Sequence, residues 1–289
     1  VLDWYAEHAR DLPWRAPGRT PWGVLVSEVM LQQTPVRRVE PVWRVWMQRW
    51  PEPADLAAAT PGDAVRAWDR LGYPRRALRL HTAAGQIVAR HDGQVPDEVA
   101  DLLALAGVGA YTAAAVATFA FGRRNAVVDT NVRRVHARAV TGAALPAPAL
   151  TRAEHELARS LLPDDAATAA RWAVAVMELG ALVCTARAPR CLDCPVADRC
   201  AWRLAGAPAH DGPPRRGQAW HGTDRQVRGR LLAALRAAPG ALDEERLTAA
   251  APSNELRDPL QRSRCLASLI EDGLVEPAPG LVGLYRLPG

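Results

Sequence analysis

The chain has 289 residues, 49% of them hydrophobic and 23% charged, a globular composition with ample material for a buried core. Nearly apolar runs such as Ala113 to Phe121 are too short to span a bilayer, and no basic segment leading into an apolar one opens the sequence, so a cytoplasmic protein is expected. The formal charge of +5 hints at a polyanionic partner, and all 36 basic residues are arginine, which excludes a lysine Schiff base or lysine nucleophile.

Residues 1 to about 205 carry apolar positions at helical spacing and almost no alternating segments, so this part reads as all-α. In "WGVLVSEVMLQQT", Glu28 is the only charged residue between Arg19 and Arg37 and stands among Val24, Leu25, Val26, Val29, Met30 and Leu31. Burial there would raise its pKa and suit it to donate a proton near neutral pH; the alternative is a carboxylate at the helix surface. The polar "QQT" that follows reads as an exposed edge from which Gln32, Gln33 and Thr34 could reach bases.

Next along the chain, "PEPADLAAATPGDAVRAW" carries helix starts at Pro53 and Pro61, and Leu78, Leu80, Ala84 and Ile87 mark a further helix. "VPDEVADLLALAGVGAYTAA" predicts a helix from Pro96 to Ala106, a turn at Gly107, Val108 and Gly109, and a second helix from Thr112. The pattern is weak as a nucleotide loop, because no strand precedes it. It suits a helix–hairpin–helix, in which backbone amides and the following helix dipole hold one DNA phosphate; a plain αα-hairpin loop is the bland reading. In "AVVDTNVRRVHARAV", Asp129 precedes a helix and can cap it, the helix end keeping it ionised. An ionised carboxylate at that place is also what an oxocarbenium-like sugar cation needs. Ala169 to Leu182 is another helical stretch.

Cys184, Cys191, Cys194 and Cys200 are separated by six, two and five residues, a density that suits metal ligation rather than disulfides. Four sulfurs serve zinc or an iron–sulfur cluster; one short Cys-x-x-Cys knuckle with longer arms and a Cys194–Pro195 step suits [4Fe–4S] better. Cys265 stands alone and reads as a buried thiol. Residues 206–223, rich in Pro, Gly and Arg, read as a linker. Beyond it, three helices ("DRQVRGRLLAALRAA", "LDEERLTAAA", "LQRSRCLASLIEDG") and a hairpin turning near Pro279 and Gly280 make a small α+β winged-helix-like domain over 224–289. Arg262 and Arg264 on its third helix could touch DNA, or the module could dock on protein or be purely structural.

"SEVMLQQT", "LGY" at Leu71 to Tyr73, "GVGAYTA", "VVDTNVRR" and the four cysteines, in this order, resemble the adenine DNA glycosylases of the MutY family. The tail "GTDRQVRGRLL" with a short module is similar to the family's actinobacterial branch. The resemblance covers residues 1–205 and implies a helix–hairpin–helix glycosylase fold. Residues 21–122 would form a six-helix barrel, and 1–20 with 123–205 a [4Fe–4S] cluster domain held by the four cysteines. It implies a bacterial, nucleoid-associated monomer acting on double-stranded DNA, where it removes adenine mispaired with 8-oxoguanine or guanine. Glu28 would protonate N7 of a flipped-out adenine, and Asp129 would stabilise the sugar cation or form a transient adduct. Tyr111 and Asn131 would hold the water, Trp14, Arg15 and Leu31 would line the base pocket, and Gln33 and Tyr73 would wedge into the stack.

Three departures from the family pattern stand out. Val174, four residues before Glu178, lies where relatives carry Glu or Gln; Pro74 follows Tyr73; and 66 residues from Asp224 replace a larger Nudix-like domain. Two other readings share features of the chain. One is an endonuclease III-type glycosylase for oxidised pyrimidines, whose lysine would stand at Tyr111; the other is a non-enzymatic iron–sulfur winged-helix DNA-binding regulator.

Overall fold

A computed structural model of the chain describes residues 1–210, 212 and 220–289. The rest of the predicted linker lies outside the described residues. Among the described residues no helix is long and apolar enough to cross a membrane. The chain divides into two compact units. The first comprises Val1–Glu28, Pro96–Ala104 and the described residues between Val108 and Pro214. The second comprises Val29–Val95, Leu105–Gly107 and the described residues from 220 to Gly289.

Fifteen α-helices run through the described residues, beginning with α1 (Leu2–His8), α2 (Pro21–Leu31) and α3 (Val36–Arg49). Helix α2 starts where Pro21 needs no amide partner and the Thr20 hydroxyl accepts from the Gly23 amide at 3.0 Å. Its residues Trp22 to Met30 are all buried, Glu28 among them. The two prolines predicted as helix starts open α4 (Pro53–Ala58) and α5 (Pro61–Ala67), each with a side-chain cap, Glu52 with Asp55 in the first and Thr60 in the second. Helix α6 (Arg75–Arg90) buries Ala77, Leu80, Ala83, Ala84 and Ile87 on one face.

Helix α7 (Val99–Leu103) is shorter than the predicted 96–106, because the chain turns from Ala104 through Gly107 before α8 (Ala110–Phe121) begins. Helix α9 (Thr130–His136) continues into a π-helical turn over Ala137–Thr141 and is followed by α10 (Arg152–Ser160) and α11 (Ala166–Leu182). The first unit's core sets Trp4 of α1, Val132 and Val135 of α9, and Val176 and Leu179 of α11 against one another. The cysteine loop leads to α12 (Ala201–Leu204).

The C-terminal residues form α13 (Asp224–Ala237), α14 (Glu244–Ala250), α15 (Gln261–Glu271) and a two-stranded hairpin of β1 (Glu276–Pro277) and β2 (Tyr285–Arg286). The strands pair antiparallel, Glu276 with Arg286 and Pro277 with Tyr285. Pro279 and Gly280 occupy the middle of a turn closed by the Leu281 amide on the Ala278 carbonyl at 3.1 Å, with Gly280 at φ 72°. Cys265 is buried, as expected of an ordinary core thiol.

This module docks on the helices of its own unit. Arg66 of α5 donates to the Arg236 and Ala238 carbonyls at the end of α13, and Arg236 donates back to the Val65 and Asp69 carbonyls. Each guanidinium thereby satisfies orphan carbonyls at the end of the other's helix. The Gly62 amide donates to the Pro288 carbonyl at 2.8 Å, and a side chain at 62 would collide with that oxygen. Arg262 and Arg264, for which the sequence leaves DNA contact and a docking or structural role open, are engaged inside the module. Arg262 donates to the Ala251 carbonyl and the Thr248 and Ser253 hydroxyls, and Arg264 makes a two-pronged pair with Asp258.

Candidate active site and cysteine loop

Glu28 lies in the last turns of an almost wholly apolar helix and is 6% exposed. Burial raises its carboxyl to about 7, further helped by the charge of Asp129, while the Tyr111 hydroxyl and Arg15 pull the other way. Tyr111, on the first turn of α8, donates its hydroxyl to Glu28 Oε2 at 3.1 Å. Burial and the nearby carboxylates raise the Tyr111 hydroxyl well above its ordinary value, so it remains a donor.

Asp129 caps α9 as predicted: its Oδ1 accepts from the Asn131 amide at 2.9 Å and the Val132 amide at 2.7 Å. Its Oδ2 accepts from the Asn131 side-chain amide at 2.7 Å. The expectation that the helix end fixes its ionisation is incomplete. Burial is the largest influence and raises the carboxyl despite these three hydrogen bonds and Arg134. A desolvated carboxylate gains strongly from a positive charge that forms against it.

Several side chains that hold this pair were not singled out in the sequence. Arg134 donates to Asn131 Oδ1 at 2.8 Å and to the Gly180 carbonyl at 2.6 Å, fixing the amide that faces Asp129. The same guanidinium reaches the Cys184 carbonyl at 2.5 Å. Gly180 of α11 lies so close to α9 that a Cβ there would fall 2.7 Å from Asn131 Cβ. Glu178, noted only as a landmark for Val174, is fully buried and receives the Arg10 amide and guanidinium and Arg15 Nη1. Burial would raise it, but Arg10 and Arg15 prevail and hold it at about 2. Arg15 is thus pinned on the short 3₁₀ turn Pro13–Arg15, next to buried Trp14. The signal for these residues is long-range pairing, which spacing along the chain does not carry.

In the turn before α8, Gly107 has φ 77° and a Cβ there would strike the Arg79 side chain at 2.8 Å, so this glycine is required on both counts. Gly109 has an ordinary backbone (φ −96°) and open space around its Cα, and Val108 is buried. Of the two glycines, only the first serves the turn itself; the second leaves backbone accessible.

In the second unit, Leu31 ends α2 half-buried and Gln33 is exposed with φ 56°. Thr34 does not face outward with Gln33. It is buried, its hydroxyl donating to the Leu71 carbonyl at 3.2 Å and accepting from Arg76 at 3.1 Å. Tyr73 is half-exposed with φ 46°. Buried Arg76 donates to the Val29, Met30, Gln32 and Gly72 carbonyls and lies over the Tyr73 ring. One arginine therefore braces the backbone on the way to Gln33 and to Tyr73, using carbonyls rather than an acid. Burial lowers its pKa to about 10, so it remains a cation.

Cys184, Cys191, Cys194 and Cys200 line one cavity with Arg138, Pro189 and Trp202. Burial and the other three sulfurs raise the Cys194 thiol, the expected response of four thiols that share a space and need a cation to ionise together. Arg138 donates to the Thr185 and Ala186 carbonyls and lies 4.8 Å from the Trp202 ring centroid, tying the two ends of the cysteine loop together. The donor set fits an iron–sulfur group.

A buried acid beside a tyrosine, a capping aspartate and a four-cysteine loop on an all-α scaffold define a base-excision DNA glycosylase with an iron–sulfur module. Residues 26–159 match the HhH-GPD superfamily of base excision DNA repair proteins, and residues 184–200 match the iron–sulfur binding domain of endonuclease III. The chain is 54% identical over 290 residues to an adenine DNA glycosylase of Mycobacterium tuberculosis, covering all of this chain and 92% of the relative. It is 54% identical over 289 residues to that of Mycolicibacterium smegmatis, covering all of this chain and 95% of the relative. A solved thermostable thymine-DNA glycosylase superposes with a TM-score of 0.63 at 28% identity, covering 71% of this chain and 93% of that one. The chain belongs to the adenine DNA glycosylase family.

Proposed function

We propose that the protein excises adenine mispaired with 8-oxoguanine or guanine from double-stranded DNA by hydrolysing the N-glycosidic bond, as a step of base excision repair. The observation that carries this reading is the buried Glu28 carboxyl, raised to about 7 and in contact with Tyr111, in the same unit as the Asp129 cap.

The chemistry follows from those positions. Protonated Glu28 gives its proton to N7 of the flipped-out adenine, and the C1′–N9 bond breaks with its electron pair going to the base. Asp129 stands against the positive charge left on the sugar, in the geometry of an electrostatic stabiliser or a transient nucleophile. A water held by Tyr111 and Asn131 adds at C1′, and its proton returns to the carboxylate pair. In the first unit Trp14 and Arg15 would line the base pocket; in the second, Gln33 and Tyr73 would fill the gap left in the stack. Gly107, Val108 and Gly109 offer backbone amides to a phosphate.

With no lysine in the chain, no Schiff base forms on a side chain, and the reaction stops at an abasic site with the strand intact. The four cysteines would hold a [4Fe–4S] cluster. The four sulfurs share a cavity, and the single Cys191-x-x-Cys194 knuckle with longer arms and the Cys194–Pro195 step favour a multi-iron group over one zinc ion. Bound there, the cluster would clamp an arginine-rich loop and supply no step of the hydrolysis. We place the protein in the bacterial cytoplasm, on nucleoid DNA, as a monomer. Its domains run 1–205 for the glycosylase and 224–289 for the C-terminal module.

The test is adenine release from a duplex carrying adenine opposite 8-oxoguanine. Adenine is released without strand scission until base is added, and Glu28→Gln and Asp129→Asn each lower the release by about 10²-fold or more. Release by both variants near the wild-type rate overturns the mechanism.

A further inference from the structure

We propose that Arg76 is a positioning residue that holds Gln33 and Tyr73 together for the step that opens the base stack, an inference that rests on the glycosylase reading above. The two side chains sit on separate segments, one just after α2 and one just before α6, and both segments are under backbone constraint. Gln33 has φ 56° and Tyr73 φ 46°, left-handed values that a residue with a Cβ adopts at a cost. Tyr73 carries a second conflict, because Pro74 follows it and a residue before proline is otherwise pushed to extended backbone. Gln33 is exposed and Tyr73 is 46% exposed, so burial does not account for either conformation.

Relief of a left-handed φ requires rotation of the rigid peptide plane that precedes the residue. Those two planes carry the Gln32 and Gly72 carbonyls. Arg76 donates to both, Nη1 to the first at 2.7 Å and Nη2 to the second at 3.0 Å. One guanidinium therefore pins both planes. Nη2 also donates to the Thr34 hydroxyl at 3.1 Å, which donates on to the Leu71 carbonyl at 3.2 Å, a second strap between the segments. The Trp68 indole adds a further donor to the Gly72 carbonyl at 2.9 Å.

Capping of α2 alone explains less. Nη1 does donate to the Val29 and Met30 carbonyls, where orphan carbonyls and the helix dipole favour a cation. That role needs neither Gly72 nor Thr34, and it does not need burial. Arg76 is buried all the same, and among the described residues it pairs with no acid. Its charge is offset instead by carbonyl dipoles and by the Trp68 and Tyr73 rings, whose centroids lie 5.3 Å and 5.5 Å away. A buried cation without an anion is a costly way to cap one helix. A planar fork of donors, however, suits the task of holding two peptide planes in one fixed geometry. Segments fixed in this way do not yield when Gln33 and Tyr73 press into the stack, so the deformation falls on the DNA.

The experiment uses the full chain with Arg76→Lys, which keeps the cation but not the fork, and Thr34→Val, which removes only the strap. The second change is milder and stays informative where the first does not fold. Single-turnover excision at saturating enzyme is compared on two substrates. One carries adenine opposite 8-oxoguanine in a fully paired duplex; the other carries the same mispair inside a short bubble, where the adenine starts unstacked. A 2-aminopurine beside a non-cleavable adenine analogue reports stack opening by its fluorescence. Arg76→Lys is expected to lower excision from the paired duplex about tenfold and from the bubble no more than about twofold, with a smaller fluorescence rise. Thr34→Val gives the same pattern with a loss of about threefold on the paired duplex, the worth of one hydrogen bond. Because Arg76 acts through the two side chains, adding Gln33→Ala or Tyr73→Ala to Arg76→Lys costs less than the product of the separate losses. Equal losses on both substrates, no loss on either, or strictly multiplicative losses overturn the proposal. If Gln33→Ala and Tyr73→Ala themselves spare the paired duplex, the wedge assignment is wrong and the proposal falls with it. If wild type releases no adenine from either substrate, it is the glycosylase reading that fails, and the proposal with it.

Discussion

Asn131 occupies the space that a side chain at Gly180 would need: a Cβ at 180 would fall 2.7 Å from both Asn131 Cβ and the Asn131 carbonyl oxygen. Asn131 in turn gives its side-chain amide to Asp129 Oδ2 at 2.7 Å. The closeness of α11 to α9 is therefore transmitted to the carboxylate two residues before Asn131. Gly180→Ala must push α9 away or tilt it. The expected cost is about 1–3 kcal/mol of stability, typical of overpacking. A misplaced Asp129 should also lower single-turnover excision on the order of 10²-fold while the protein stays folded. Rates and urea denaturation of the variant check both parts, and a wild-type rate would show that Asp129 does not depend on this packing.

Glu28 predicts opposite effects on activity and stability. Its carboxyl is raised from 4.5 to about 7, so the folded state prefers the neutral form. That preference costs nothing below pH 4.5, where both folded and unfolded chains are protonated. The penalty grows as pH rises from 4.5 through 7 and reaches an upper bound on the order of 3 kcal/mol. Glu28→Gln removes it, so the variant should match wild type in stability near pH 4 and exceed it above pH 7. The same variant should lose excision by about 10²–10⁴-fold, the usual worth of a general acid. Wild-type excision itself should fall as pH rises through about 7. Denaturation midpoints at pH 4 and pH 8 with a pH–rate profile test the pair of claims.

Much of the site was legible because it depends on short-range chemistry. Asp129 before a helix, Glu28 in an apolar run and four cysteines within seventeen residues each declare themselves locally. The helix starts at Pro53 and Pro61 are equally local, since proline and its cap act within one turn. Long-range partners were not legible. Glu178 meets Arg10 across 168 residues, Arg134 meets Gly180 across 46, and Arg76 meets Val29 across 47. Gln33 and Thr34 look alike as polar neighbours in the sequence, yet one step of backbone turns the Thr34 hydroxyl in to Leu71 and Arg76. The end of α7 is hidden for a similar reason: apolar spacing continues to Leu105, but the chain leaves the helix at Ala104 to form the turn.

Glu178 shows the reverse pH dependence. Its carboxyl is held at about 2, below its ordinary 4.5, mainly by Arg10 and Arg15 against the cost of burial. Its contribution is present above pH 4.5 and is lost as pH falls through about 2. The shift corresponds to a few kcal/mol at most, reduced because Arg10 is one-third exposed and partly screened. Glu178→Gln should lower stability by about 1–3 kcal/mol at pH 7, leaving the two guanidiniums without their shared anion. The difference from wild type should shrink toward pH 2. Because Arg15 loses its anchor, the variant should also raise KM more than it lowers kcat. An unchanged KM would remove Arg15 from the base pocket.

Tyr111 makes the last prediction, one of direction. Its hydroxyl donates to Glu28 at 3.1 Å, and that hydrogen bond lowers the Glu28 pKa against the dominant effect of burial. Tyr111→Phe keeps the ring and removes the donor. Glu28 should then hold its proton to higher pH, so the falling limb of the pH–rate profile should move upward from about 7. The maximal rate should drop at the same time, because the hydroxyl that steadies the water is gone. A change in rate alone, with the limb unmoved, would mean that Tyr111 does not act on Glu28. The arms are separable because a general loss of structure lowers the rate at every pH and shifts no limb.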